Sequence, residues 1–456
     1  MNVSLNVSLR RRRPLTVLLA ALCVGLLAPA APAAARPGPA PAPDPARALA
    51  VTARPATDVR ALERIVGDAK VVGVGEATHS SREFFRAKHE IFEQLVERQG
   101  FTTFALEANW STGLLIDAYV REGRGDIRRI MRDEFQDAYA FWNTEEYLDL
   151  FTWMRRHNQR HPDHPVRFMG NDLGYAGPGL FDEVTGYVAR ARPELLPRFR
   201  ELYRASRPTG TVDAWMDAYL VRPLAEREAM AADTGAALAL LERQPPAGRD
   251  RAAREAHAWA VQHARAVAQV GREYAYDLLG ERGAPQTAEA MLYRDRTMAE
   301  NTVWWQRRTG DRMVLSAHDG HVGYETPRPD QYPRLQGAFL RDALGAGYVA
   351  IGATFGRGSF NAHDTREPGE PVREFRVGPL GADSNAHVLD RVSDRPFLLD
   401  ARTATPAARR WLAVARPTRS VGTAFPWEGD VTDVRLATAY DAVLHFPEIS
   451  AARSLR

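Results

Sequence analysis

The apolar positions of this chain follow two alternating patterns. Short, nearly continuous apolar runs at residues 71–74, 102–106, 166–169, 313–316 and 348–354 have the length of strands. Unbroken hydrophobicity in so short a run is the signature of a strand covered on both faces. Between the first two runs, Phe84, Ile91, Phe92, Leu95 and Val96 recur at helical spacing, which predicts a helix over 82–99 with Gly100 as its C-cap. Strand, helix and strand in succession predict an α/β fold, a mainly parallel sheet flanked by helices.

From about 185 to 310 the texture changes. Strand-like runs give way to Ala, Arg, Glu and Leu at helical spacing. Two long helices are predicted, 224–243 and 251–279, separated by the turn sequence Pro245-Pro246-Ala247-Gly248. This stretch reads as a helical insertion in a domain covering 51–456. Two roles stay open for it: a cap walling a substrate cleft, or a layer with packing duties only. The sole internal repeat is a short Asn-Val-Ser-Leu duplication at the N-terminus.

The N-terminus has a third pattern. Arg10 to Arg13 precede an apolar run from Leu15 to Ala28, and Ala33 and Ala35 supply a small-residue cleavage pattern. Residues 1–35 therefore read as an export signal, too short in its apolar part for a good membrane span, with an uncleaved anchor as the alternative. Residues 36–50 come next as a Pro/Ala-rich linker, extended and not expected to fold to about residue 47. The expected location is secreted or extracytoplasmic, without a stable membrane anchor. Residues 1–35 carry four Arg and no acids, so the whole-chain charge of +3 becomes −1 once they are removed. That charge does not support a nucleic-acid partner, and none is expected. The only cysteine, Cys23, falls inside the signal, so disulfides, thiol nucleophiles and thiolate metal sites are not expected in the mature chain. Lys70 and Lys88 are the only lysines in a chain otherwise served by arginine.

Polar, ionisable residues come directly after four of the strand candidates. They are Gly75-Glu76-Ala77-Thr78-His79, Glu107-Ala108-Asn109-Trp110, Gly170-Asn171-Asp172, and Ala317-His318-Asp319-Gly320-His321. Taken singly, an acid after a strand is often a helix cap and a lone histidine a satisfied polar residue. In a parallel sheet, however, all four sets meet at the carboxyl edge, where α/β proteins bind ligands. His79 can act as a general base and Glu76, three residues earlier, can fix its tautomer or orient water. Glu107 is placed to bind the other side of that water. His318 is placed to donate to a developing oxyanion. Arg294, within Tyr293-Arg294-Asp295-Arg296, is a candidate for that anion or a substrate carboxylate, with Asp172 and His321 as further substrate contacts.

Other signatures are incomplete. Gly73-Val74-Gly75-Glu76 lacks the third glycine of a dinucleotide loop, and there is no Gly-x-Ser-x-Gly elbow or Walker loop. His89-Glu90-Ile91-Phe92-Glu93 has Glu where a zinc-protease helix needs its second His.

At these residues the chain resembles the erythromycin esterase family. The matching pieces are Gly75-Glu76-Ala77-Thr78-His79, Glu83-Phe84-Phe85, Gly100-Phe101 leading to Leu106-Glu107-Ala108, the run from Arg294 to Asn301, Ala317-His318-Asp319-Gly320-His321-Val322, and the run from Gly352 to Phe360. The resemblance implies hydrolysis of a macrolide lactone ester by water, without a covalent intermediate or a cofactor. It maps the catalytic His to His79, its acidic partners to Glu76 and Glu107, and the second His to His318. The family often has Asn where Asp319 stands, and an added carboxylate there is expected to raise the pKa of His318. The expected partner is a small-molecule ester. Two alternatives remain: a metal-dependent hydrolase, for which His and Glu are suitable ligands, and an exported haem or small-molecule binder.

Overall fold

The computed structural model describes residues 44–278 and 283–455. The expected signal, Cys23 and the first part of the expected linker lie outside the described residues. The strands are β1 Arg54–Pro55, β2 Val71–Val74, β3 Phe101–Asn109, β4 Arg167–Asp172, β5 Arg312–Ser316, β6 Tyr348–Asp364, β7 Val372–Val377, β8 Phe397–Asp400, β9 Arg416–Arg419, β10 Ala424–Phe425, β11 Val431–Val434 and β12 Ala442–Ile449. Ten of them form one sheet in the order β1-β8-β12-β6-β2-β5-β3-β4, with β7 and β10 also paired to β6, while β9 and β11 form a separate ribbon. The run from β12 to β4 is parallel throughout. The mixed α/β fold with a mostly parallel sheet is therefore as the apolar pattern predicts.

The five expected strands are β2 to β6, with shifted ends. β4 begins one residue late because Asn158 takes both backbone groups of Val166, accepting from its N–H at 2.7 Å and donating to its carbonyl at 2.8 Å. β6 runs on past residue 354 to Asp364. Gly358, at φ +135°, lets it pass Ile449, whose carbonyl oxygen would lie 1.9 Å from any Cβ there. The antiparallel partners β1, β7 and β8 carry no long apolar run and escaped the pattern.

The helix Arg82–Gln99 has the expected bounds, and Gly100 closes it in the left-handed conformation. Its buried face, with Phe84, Phe92 and Leu95, packs with Phe104, Phe151 and Phe168 on one side of the sheet. On the other side, Trp110, Phe181, Tyr219 and Trp305 join the sheet to the helical region. That region contains Pro178–Ala191, Leu196–Tyr203, Val212–Leu220, Leu224–Glu242, Arg251–Tyr274 and Gly283–Thr309. The fifth of these stops at Tyr274 rather than near 279. Arg227 reaches its end and donates to the carbonyls of Tyr274 (2.7 Å) and Tyr276 (3.0 Å), satisfying oxygens that a longer helix would use.

A buried amide cluster fastens this region to the sheet. Asn301 donates to the Asn171 carbonyl at 3.1 Å and accepts from Gln262 and Gln269, each at 3.0 Å, while Asn171 donates to Thr302 at 3.1 Å. Such a network fixes the register of helix on sheet because any slip would leave a buried amide unpaired.

The last part of the expected linker is helical instead. Asp44 caps Pro45–Ala50 by accepting from the Ala46 N–H, Pro45 occupies the first turn where its missing N–H costs nothing, and Leu49 is buried. Among the described residues no helix is long and apolar enough to cross a membrane.

Candidate active site

The sheet order decides which loops meet. β2, β5, β3 and β4 are consecutive neighbours, so the four polar segments come together at one edge; two of them follow β2 and β5 as expected, but Glu107–Asn109 and Gly170–Asp172 are the last residues of β3 and β4 themselves. Gly75 permits the closest approach: a Cβ there would sit 1.9 Å from Asp319 Oδ1. The Asp319 N–H donates to the Glu76 carbonyl at 2.9 Å, tying the loop after β5 to the loop after β2. From the far side, the Val421 N–H donates to the Ala77 carbonyl at 2.8 Å, so the chain near β9 completes the wall.

His79 and His318 stand side by side, with ring centroids 4.8 Å apart. The Glu76 carboxylate, itself fully buried, holds His79 Nδ1 at 2.9 Å. Among the described residues, no side chain partners His79 Nε2. Trp142 covers the ring edge-on with centroids 5.5 Å apart. Lys88 lies under the pair, donating to Glu76 and, at 3.2 Å, to the Ala317 carbonyl. It is 1% exposed and belongs to the polar cluster that the sequence motifs overlooked. A signal was present: a buried face of the 82–99 helix keeps one of only two lysines in an arginine-rich chain. A compact ammonium fits this space, where a guanidinium would be larger.

The tautomer of His318 is set by its surroundings. The Gly320 N–H donates to Nδ1 at 3.1 Å, so the ring proton sits on Nε2. Burial, reinforced by His79, pulls the His318 pKa well below its usual value and keeps it neutral. The expected rise from Asp319 does not occur. The Asp319 carboxyl turns aside to accept from the Ala353 N–H at 2.9 Å, and burial pushes its own pKa up to about 7. The neutral His318 thus presents an N–H, with the Ser420 hydroxyl 3.5 Å from Nε2. Because that nitrogen is already protonated, it cannot take the serine's proton, and Ser420 is not activated as a nucleophile.

Glu107 arrives from β3. One oxygen accepts from the backbone N–H of His318 at 2.9 Å; the other faces Arg294 at 3.0 Å and His321 at 3.2 Å. Burial opposes the carboxylate, but His321, His79 and Arg294 outweigh it and hold its pKa well below the usual range. In this geometry Glu107 positions the His318 loop instead of offering a free oxygen to water.

Arg294, Asp172 and His321 are also brought together. Arg294 grips Asp172 in a fork, Nε to Oδ1 at 2.9 Å and Nη2 to Oδ2 at 2.6 Å, and Tyr139 donates to the same carboxylate at 2.9 Å. His321 bonds Asp295 through Nδ1 at 2.8 Å. Burial disfavours the imidazolium of His321, yet Asp295 and Glu107 raise its pKa well above the ordinary value. Its Nε2 is 3.2 Å from Arg294 Nη1, a contact between two cations that the three surrounding carboxylates offset. The polar atoms of this group are thus turned on one another, and only Arg294, with a side chain 17% exposed, borders solvent. Among the described residues no group of three or more His, Cys, Asp or Glu side chains is disposed to hold a metal ion.

Two cavities of about 660 and 590 Å³ open elsewhere, around Arg341 and Asp441 and around Trp304 and Phe339. Neither is lined by His79 or His318. The paired histidines and their convergent carboxylates therefore define the site, ahead of cavity size.

Residues 96–449 match the family model described as erythromycin esterase. Erythromycin esterase type II of Escherichia coli is 22% identical over 326 residues, 67% of this chain and 73% of that protein. A Bacillus cereus protein of known structure superposes with TM-score 0.80 at 26% identity, covering 92% of this chain and 100% of the other. An erythromycin esterase EreC mutant in its open conformation superposes with TM-score 0.65 at 17% identity, covering 86% and 94%.

Proposed function

The chain belongs to the erythromycin esterase family, and we propose that it is an esterase cleaving a carboxylic ester, such as a macrolide lactone, with water activated by His79. The observation that carries this reading is the unpartnered Nε2 of His79 beside the protonated Nε2 of His318, with Glu76 behind the first ring.

Water bonded to His79 Nε2 attacks the ester carbonyl, and His79 takes its proton. Glu76, on Nδ1–H, stabilises the imidazolium so formed, while Lys88 keeps Glu76 in place. The carbonyl oxygen becomes an oxyanion and accepts from His318 Nε2–H. Collapse of the tetrahedral intermediate breaks the bond to the alcohol oxygen, which takes the proton back from His79. The products are an acid and an alcohol, and the site ends in its starting protonation state. Glu107 and the Arg294–Asp172 pair hold the second histidine loop in register.

The test is mass spectrometry of erythromycin incubated with the protein. The expected result is a gain of one water. An unchanged antibiotic, with other lactones also unchanged, would overturn the esterase reading. Residues 1–35 are proposed as an export signal that puts the enzyme outside the cytoplasm. A mature N-terminus at Arg36 would support that, and an intact N-terminus on cytoplasmic protein would contradict it.

A further inference from the structure

Glu273 is an acid that this reaction leaves unused. It is the second-last residue of the helix Arg251–Tyr274. That helix end is pinned on two sides. The Tyr274 hydroxyl donates to the Gly174 carbonyl at 2.9 Å, in the loop just after β4, and Arg227 holds the Tyr274 carbonyl from behind. The helical region thereby carries a carboxyl to the Asp172 side of the site.

The placement gives this carboxyl no partner. Glu273 Oε2 is out of contact with solvent and makes no hydrogen bond. The residue as a whole is half-buried. Arg294 is the nearby cation, but its fork is occupied by Asp172 and Glu107. The groups whose charges Glu273 feels or influences are Asp172 on β4, Arg294 and Tyr293 on the next helix, and Tyr139 in the short turn before Trp142. A carboxyl with one oxygen shut off from water and unpaired, beside an existing carboxylate, is costly when ionised.

We propose that Glu273 is a specificity-determining residue: its carboxyl hydroxyl donates a hydrogen bond to a neutral oxygen (hydroxyl, ether or carbonyl) of the ester substrate. Burial, together with Asp172 and against Arg294, pushes the Glu273 pKa up to about 8, so the acid form prevails near neutral pH. A neutral donor next to Asp172 favours uncharged, oxygen-rich substrates and disfavours a carboxylate at this position. The helical region then has a reading function besides its packing. The inference rests on the esterase reading for its substrate.

Two measurements separate its failure from failure of that reading. Isotope-edited infrared spectra of wild type minus Glu273→Gln report protonation without any substrate. The expected difference is a protonated-carboxyl band near neutral pH that is lost as the pH rises past about 8. Kinetics with erythromycin and with p-nitrophenyl acetate, from about pH 6 to about pH 9.5, report the role. Glu273→Ala is expected to raise KM for erythromycin about tenfold and leave p-nitrophenyl acetate unchanged. Glu273→Gln, which keeps a donor, is expected to stay within about twofold of wild type and to lose the alkaline rise in KM. An ionised Glu273 at neutral pH, or Gln and Ala variants alike in KM and pH profile, would overturn the inference. Wild type inert toward both esters would instead overturn the esterase reading and the substrate role with it.

Discussion

His79 and His445 each have a carboxylate on one ring nitrogen, yet only one of the two is placed for chemistry. His445, on β12, has Thr354 Oγ1 on Nδ1 and Asp390 Oδ1 on Nε2, each at 2.9 Å, and is fully buried. His79 has Glu76 on Nδ1 and no side chain on Nε2. A Thr–His–Asp set resembles a nucleophilic triad by composition, but here it joins β6, β12 and the helix Asn385–Asp390 as a sealed clamp. His79 stands in the loop beyond β2, where neighbouring strand ends bring a second histidine and leave an open direction. A free nitrogen at a strand end separates the proposed catalyst from the strut; the residue types alone do not.

The comparison breaks most sharply under mutation. His79→Ala should reduce kcat/KM for ester hydrolysis by about 10³-fold or more, with little change in Tm. His445→Asn should leave the rate within about threefold but lower Tm, because Asp390 or Thr354 loses a buried partner at a cost of about 2 kcal/mol. Steady-state kinetics and thermal melts of the two variants decide; a rate loss in both would erase the distinction.

The next effect is that of the donor. His318→Ala should lower kcat about 10²-fold with KM nearly constant, since the lost bond matters mainly to the oxyanion. A rise in KM at constant kcat would assign His318 to substrate binding instead.

Lys88→Met should cost about 10-fold in kcat and about 3 kcal/mol in stability, because Glu76 would keep its burial and lose its ammonium. An unchanged denaturant midpoint would show that the Lys88 pairing is not structural.

The smallest effect is in pH. The folded pKa of Glu107 is depressed, so its contribution is present above the ordinary carboxylate range and is lost as pH falls through the folded value. His318 is also depressed, so folded protein resists its protonation and loses stability as pH falls below about 6.5. His321 is raised; its contribution is complete below about 6.5 and declines only as pH rises through its elevated folded value. Acidification should therefore lower Tm first through His318 and later through Glu107, and His318→Asn should flatten the first part of the curve. An identical acid profile in that variant would contradict the assignment.

Much of the fold and the site was legible in the apolar runs and in the polar residues directly after them. β2 to β6 are buried on both faces and show continuous apolar runs, and the polar residues at the ends of four of them list the candidate site in linear order; β12, central and parallel to β6, was missed because His445, Pro447 and Glu448 interrupt its apolar run. β1 and β7 are largely exposed strands that carry little apolar signal, and β8 is buried but offers only the three apolar residues Phe397–Leu399. Lys88 left a signal that the motifs passed over, a rare lysine on the apolar face of its helix, whereas Glu273 was not legible because a charged residue on a helix looks like solvated surface until packing places it. The surroundings of Glu107 were not legible for a related reason. Proximity to the histidines can be read from strand order, but the Arg294 and His321 contacts that occupy its oxygen depend on segments about 200 residues further along the chain.

The central claim is that water, held by the free nitrogen of His79, attacks the ester directly. Intact-protein mass spectrometry during turnover of p-nitrophenyl acetate tests it most directly, since Ser420 lies beside His318 and is the nearest alternative nucleophile. Steady release of p-nitrophenol is expected, with no acyl adduct on the protein at any time. An acetylated protein that forms and decays at the turnover rate, above all one acetylated at Ser420, would contradict it.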